Sequence, residues 1–250
     1  MTSGGPATSR YVEHVMGMPI SLALRGRHAD DERGRAAWAE AVAALRDVDR
    51  VFSTWREDSW VSRLGRGEVA VEDCPAEVAE VLALGDAARA QSQGAFDVRA
   101  MGRLDPSGVV KGWAVERAAR PLRHLDDTDF CLSAGGDMVC HVADPARPAW
   151  RVGIEDPHDP TRYVGVVHVA RGAVATSGLR HRGAHVFHGR TGAVPVRAAS
   201  VTVVGEDLVW ADLDATAALA LDGEAARWLA GRPGRQGLVV WADGSTQQVA

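Results

Sequence analysis

Between Val174 and Thr216 the chain sets Thr176-Ser177-Gly178, Ala184-His185-Val186, Arg190-Thr191-Gly192 and Ala211-Asp212-x-x-x-Thr216 in close succession. Asp212 and Thr216 are four residues apart in a stretch with helical character, so their oxygens project from one face a turn apart. A hard cation that prefers oxygen fits between them, and a phosphate ester fits beside it. His185, just upstream on an expected strand, supplies a group that exchanges a proton near neutral pH.

Other stretches could complete such a site. Asp105-Pro106-Ser107-Gly108-Val109-Val110-Lys111-Gly112 joins a turn to a helix start, where backbone amides and Lys111 hold phosphate and a carbonyl can reach a metal. Leu132-Ser133-Ala134-Gly135-Gly136-Asp137 allows close backbone approach to a ligand, because glycine has no Cβ. Phe52-Ser53-Thr54-Trp55 and Gly94-Ala95-Phe96-Asp97 each place an aromatic ring beside small residues, an arrangement that stacks a planar group. Taken singly, each has a plainer structural account: an ordinary loop before a helix, a β-bulge, a core aromatic, a satisfied histidine, a solvated helix face. Their joint occurrence favours a site.

Composition narrows the class. The 250 residues are 46% hydrophobic and 24% charged, enough for a sizeable core in one domain over 1–250 or in two intimately packed lobes. A net charge of -5, with Lys and Arg scattered, gives no footprint for nucleic acid or an anionic membrane, so small-molecule chemistry is favoured. The first ten residues carry no apolar run and no later stretch reaches spanning length, so a cytoplasmic chain with no membrane span is expected. Cys74, Cys131 and Cys140 lack CxxC spacing, so neither a disulfide framework nor a zinc site is expected and the three read as small apolar residues.

The elements that must carry these residues follow from periodicity. Tyr11 to Leu24 reads as a strand that is irregular around Met16-Gly17 and then alternates through Ile20, Leu22 and Leu24. Helices are expected from Asp31 to Phe52, from Pro75 to before Gly94, after Gly112 with Val115, Ala119 and Leu122 inward, and from about Val209 to Leu221. Short strands are expected at 139–142, 150–154, 164–169, 174–176, 185–187 and 201–204, with a closing hairpin through Asp243-Gly244. Helices early and strands late give an α+β fold with mixed or antiparallel sheets and a cleft between them.

Read together and in order, the motifs resemble the ApbE-type FAD:protein FMN transferases. The resemblance rests on His14-Val15-Met16-Gly17, Phe52-Ser-Thr-Trp55 with Asp58-Ser59, Gly94-Ala-Phe-Asp97, Asp105-x-x-Gly108-x-x-Lys111-Gly112, Ala134-Gly-Gly-Asp137, Thr176-Ser-Gly178, His185-Val186 with Arg190-Thr-Gly192, Ser200-Val-Thr-Val203 and Ala211-Asp212-x-x-x-Thr216. It implies transfer of FMN from FAD to a Ser or Thr hydroxyl of an acceptor protein, with Mg2+ in the cleft and AMP released. By resemblance, Gly108 (through its carbonyl), Asp212 and Thr216 bind the metal. Met16, Trp55, Ala95, Phe96, Asp97, Asp105, Lys111 and Val186 line FAD, and His185 is the base. Trp55 stands where the family usually has Tyr and keeps a flat apolar surface for stacking.

The chain departs from the family pattern at Met18, Trp60, Leu179 and His188-Gly189, where Thr, two acidic residues and Asp-Pro are usual. The loss of acidic groups keeps two alternatives open: hydrolysis of FAD to FMN and AMP in the same cleft, or FAD binding without turnover.

Overall fold

A computed structural model describes residues 8–179 and 186–250. Thr8–Val15 (β1) and Met18–Gly26 (β2) pair antiparallel, with Val15 opposite Met18 across the two-residue turn Met16-Gly17. Both turn residues have positive φ, 56° and 71°, the primed geometry whose twist matches the strands it joins. The single strand expected from Tyr11 to Leu24 is therefore two. Its irregularity at Met16 marks a reversal of the chain.

Asp31 caps helix α1 (Glu32–Phe52), its carboxylate accepting the Gly34 N–H at 2.9 Å. The buried stripe Ala41, Leu45, Val48 and Phe52 follows the helical period. A short α2 (Trp60–Gly65), capped by Ser59, is not expected from periodicity, because six residues show too little of a repeat. Helix α3 (Ala76–Gln91) starts after Pro75 as expected. Helix α4 spans Ser107–Ala118, so it begins before Gly112 and contains both Gly108 and Gly112. Two glycines lower helix propensity, which hides this start; packing demands them, since a Cβ on Gly112 would lie 2.9 Å from the Leu208 carbonyl oxygen. The one-turn α5 (Arg120–Arg123) follows.

The rest is mostly strand: β3 (Thr128–Ala134), β4 (Asp137–His141), β5 (Trp150–Glu155), β6 (Tyr163–Val169), β7 (Arg171–Gly178), β8 (Ala198–Gly205), β9 (Gln236–Trp241) and β10 (Thr246–Val249). Helices α6 (Leu208–Ala220) and α7 (Ala225–Ala230) separate β8 from β9. Eight strands form one sheet in the order β1-β2-β3-β4-β7-β8-β9-β10, every neighbour antiparallel, while β5 and β6 form a separate hairpin. The α+β expectation holds, with an antiparallel main sheet.

The two faces of the sheet have different covers. Ile20, Leu22, Phe130, Leu132, Ala175, Val201 and Val239 pack with the helices in the main core. On the other face Cys140 and Val174 pack with Val152 and Val169 of the β5–β6 hairpin. Alternation along each strand assigns residues to one core or the other.

The strand expected at 185–187 does not form at Val186 and Phe187, which are irregular; residue 185 lies outside the described residues. The backbone just beyond is committed to a loop instead. Gly189 N–H donates to the Ala95 carbonyl at 2.8 Å and Arg190 N–H to that of Gly94 at 3.1 Å. Among the described residues no helix is long and apolar enough to cross a membrane.

Candidate active site cleft

A cleft of about 490 Å³ opens where the ends of α4, α6 and β7 meet the loop after α3. Helix α6 presents Asp212, Thr216 and Ala220 to it, each four residues after the last, as a single stripe. Asp207 fixes the start of that helix by accepting the Trp210 N–H at 2.9 Å. The first turns of α4 add Ser107, Gly108 and Lys111, and the end of β7 adds Thr176, Ser177 and Gly178. Ala95, Phe96, Asp97 and Met101 form another wall, with Val186 and Phe187 beside them.

Glycines let α4 approach both the loop after α3 and helix α6 closely. A Cβ on Gly108 would lie 2.9 Å from the Phe96 ring, and one on Gly112 would lie 3.0 Å from Asp212 Cβ. The Gly112 N–H donates to Asp212 Oδ2 at 3.1 Å. In a regular α-helix that N–H points at the Gly108 carbonyl, so Asp212 competes for it at the wall of the cleft.

Three charged groups at the cleft are coupled through buried ion pairs. Asp137 and Asp212 are both buried, and the one ammonium of Lys111 pairs with Asp137 Oδ2 and, at 3.2 Å, with Asp212 Oδ1. The other oxygen of Asp137 accepts the Thr176 N–H at 3.0 Å, which locks the carboxylate across β4 and β7. Burial pushes Asp212 up to about 7, against the pull of Lys111, and the neighbouring Asp137 charge adds to the rise. For Lys111 burial works toward a lower value, but attraction to Asp212 and Asp137 outweighs it and the ammonium is held above the ordinary lysine range. Two carboxylates on one ammonium leave the site with an appetite for a further cation.

Thr216 and Ser177 hydroxyls are 2.9 Å apart, so α6 is tied to the end of β7 at the cleft. The Asp97 carboxylate accepts from Arg89 Nε at 2.9 Å and from the Arg99 N–H at 2.8 Å, which shapes the loop after α3. Gly189 packs flat on that loop, where a Cβ would be 2.7 Å from Asp97 Cβ. Arg103 lines the cleft, is exposed, and has no ion pair among the described residues.

Of the residues expected from sequence, Gly108, Asp212 and Thr216 reach this cleft, as do Ala95, Phe96, Asp97, Asp105, Lys111 and Val186. Met16 and Trp55 are not among its described lining residues. Met16 sits in the β1–β2 turn against the main core, and Trp55 is 95% exposed. His185 lies outside the described residues. Sequence reasoning does not single out Asp137, Ser177 or Arg103 as site residues; the first two lie inside quoted motifs, but their partners are invisible without the fold. None of Met18, Trp60, Leu179 and His188 lines the cleft. Met18 is buried, and Trp60 and Leu179 pack on the main core.

Solved structures share this architecture. The ApbE protein of Thermotoga maritima is 18% identical with TM-score 0.83, covering 97% of each chain. The flavinyl transferase ApbE of Pseudomonas stutzeri, apo form, is 22% identical with TM-score 0.83, covering all of this chain and 96% of its own. The flavin transferase ApbE of Vibrio cholerae is 20% identical with TM-score 0.78, covering 98% and 97%. The fold is thus that of the ApbE proteins. The family model for ApbE matches residues 16–102 and 99–239, and the chain belongs to the ApbE family. No curated protein matches it by sequence.

Proposed function

We propose that this protein transfers the FMN moiety of FAD to a Ser or Thr hydroxyl of an acceptor protein, with magnesium bound in the cleft. The observation that carries the proposal is that Gly108, Asp212 and Thr216, from two separate helices, line one cleft beside Lys111. Family membership and the names of the Pseudomonas and Vibrio neighbours support flavin transfer as the chemistry.

The donor set fits magnesium. Asp212 offers a carboxylate, Thr216 a hydroxyl and Gly108 a carbonyl, all hard oxygens, next to an excess of buried negative charge. Among the described residues no cluster of three or more His, Cys, Asp or Glu forms a metal site of the softer or all-carboxylate kind. When bound, magnesium supplies charge neutralisation on the phosphate oxygens of FAD, the principal demand of such a transfer.

The chain's own groups do the rest. Phe96 and Ala95 provide apolar wall for a planar ring, and Arg103 provides an exposed cation for a phosphate. Lys111 holds the carboxylates in place through its double ion pair. His185, one residue before the cleft-lining Val186, takes the proton of the acceptor hydroxyl as its oxygen attacks phosphorus, a contribution of roughly 10²–10⁴-fold. The bond to the AMP oxygen breaks as the new phosphoester forms. Departures at Met18, Trp60, Leu179 and His188 fall outside the cleft lining, which supports retained activity.

Incubation with FAD, magnesium and an extract containing acceptors tests the proposal: AMP and a covalently fluorescent protein must appear together. AMP without any acceptor would point to hydrolysis instead, and FAD left intact in both mixtures would point to binding alone.

A further inference from the structure

Cys131 and Cys140 are nine residues apart in the chain and give no CxxC signal, yet the fold sets them directly opposite one another on β3 and β4. Their sulfurs are 3.6 Å apart, with Cys140 Sγ donating to Cys131 Sγ. The strands are joined by the two-residue turn Gly135-Gly136, both with positive φ, so the register that pairs the cysteines is fixed by the turn. On the same rung of the sheet the neighbours are Ala23 of β2 and Gly172 of β7, small residues that leave the sulfurs lateral room. Both thiols belong to the core beneath the β5–β6 hairpin, away from the cleft, and Arg10 of β1, on the same rung beyond Ala23, is a cation whose charge also favours the Cys131 thiolate.

We propose that Cys131 and Cys140 are a dithiol site for reversible oxidation, closed to an intramolecular disulfide by a small-molecule disulfide such as oxidised glutathione. Opposed residues on antiparallel strands have Cα atoms about 4.5–5.5 Å apart, within the span a disulfide bridges. The sulfurs need to approach by roughly 1.5 Å more, a matter of side-chain rotation. Cys131 is half-buried and Cys140 buried, so Cys131 is the group a reagent meets first. The hydrogen bond from Cys140 also favours the thiolate of Cys131, while the same bond and burial push Cys140 upward.

The exchange balances in two steps. The Cys131 thiolate attacks one sulfur of the reagent disulfide, forming a mixed disulfide and releasing one glutathione thiolate. The Cys140 thiol loses its proton and attacks Cys131 Sγ, expelling the second glutathione; two protein thiols are oxidised and one glutathione disulfide is reduced. A metal is a poorer fit for this pair, because His141 stacks on Phe130 and no third ligand joins the sulfurs among the described residues.

The test uses the full chain carrying Cys74→Ser, which leaves two cysteines, treated with oxidised glutathione and examined by denaturing thiol titration and intact mass. The expected product has lost both thiols and two hydrogen atoms, carries no glutathione, and yields a Cys131–Cys140 cross-linked peptide that dithiothreitol releases. Adding Cys140→Ser must trap glutathione on Cys131, and adding Cys131→Ser must leave Cys140 unmodified on the same timescale. Two free thiols after treatment, or a wild-type product that stops with glutathione on Cys131, would overturn the proposal. The cross-linked peptide can be sought in the unmutated chain too, so a misfolded variant does not shelter the claim.

Discussion

Lys111 Nζ lies 3.2 Å from Asp212 Oδ1, and the same ammonium also pairs with Asp137. Both carboxylates are buried, so this contact joins α4, α6 and β4 around one cation and leaves negative charge to spare. The stability of the protein and the proposed binding of a metal therefore depend on the same group in opposite senses.

Asp212→Asn should abolish transfer, because the charge of the proposed metal ligand is gone, yet stabilise the metal-free protein. The sign follows from the raised value: a carboxyl pushed from 3.8 to about 7 on folding costs stability when it ionises, progressively above about pH 4 and fully above about pH 7. Asparagine keeps an oxygen for the Gly112 N–H. Thermal unfolding in chelator should show the Asp212→Asn variant ahead by a few degrees at pH 8 and level with wild type near pH 4. A lower Tm for the variant at pH 8 would refute the account of the buried charges.

Gly108→Ala and Gly112→Ala should differ in kind. At 108 the added carbon meets the Phe96 ring at 2.9 Å, and a ring can tilt; the cost should be about 1–3 kcal/mol and the effect on FAD a raised KM. At 112 it meets the Leu208 backbone oxygen and Asp212 Cβ, which cannot move without shifting α6. Kinetics and melting together should find the second variant the less stable and depressed in kcat.

Arg103→Gln should weaken FAD by roughly five- to tenfold, as expected for an exposed charge-assisted contact to phosphate. Riboflavin, which has no phosphate, should bind both forms equally. Equilibrium titrations of the two ligands check this, and an equal loss for both would place Arg103 elsewhere.

His28 gives a pH dependence far from the cleft. Its ring nitrogens lie 2.7 Å from Asp31 Oδ2 and 3.0 Å from Asp126 Oδ1, and a neutral imidazole can donate from only one of them. Asp31, then Asp126, raise His28 above 6.5 against desolvation and the nearby Arg33, while Arg27 pairs with Asp126. A raised histidine contributes stability that is complete below about pH 6.5 and is lost as pH rises through the folded value. Wild type should lose Tm over that rise relative to His28→Asn, as followed by thermal unfolding across the pH range; parallel pH profiles would contradict this pairing of His28 with Asp31 and Asp126.

What can be read in the sequence is local. Helix α1 announces itself by Asp31 and a stripe of apolar residues, and α6 by its span and by the Asp212 to Thr216 spacing. The start of α4 is obscured because Gly108 and Gly112 answer to neighbouring elements rather than to helix propensity. The turn at Met16-Gly17 is visible only as a fault in alternation. The pairing of Lys111 with Asp137, and of Cys131 with Cys140, depends on strand register and helix crossing, which no single stretch of chain encodes.

The central claim is tested most directly by mass spectrometry of cell proteins made with and without this chain, supplied with FAD and magnesium. The account predicts an FMN-sized addition on Ser or Thr of at least one protein, present with wild type and absent with Asp212→Ala. Such additions persisting at wild-type level with Asp212→Ala, or appearing in neither sample, would contradict it.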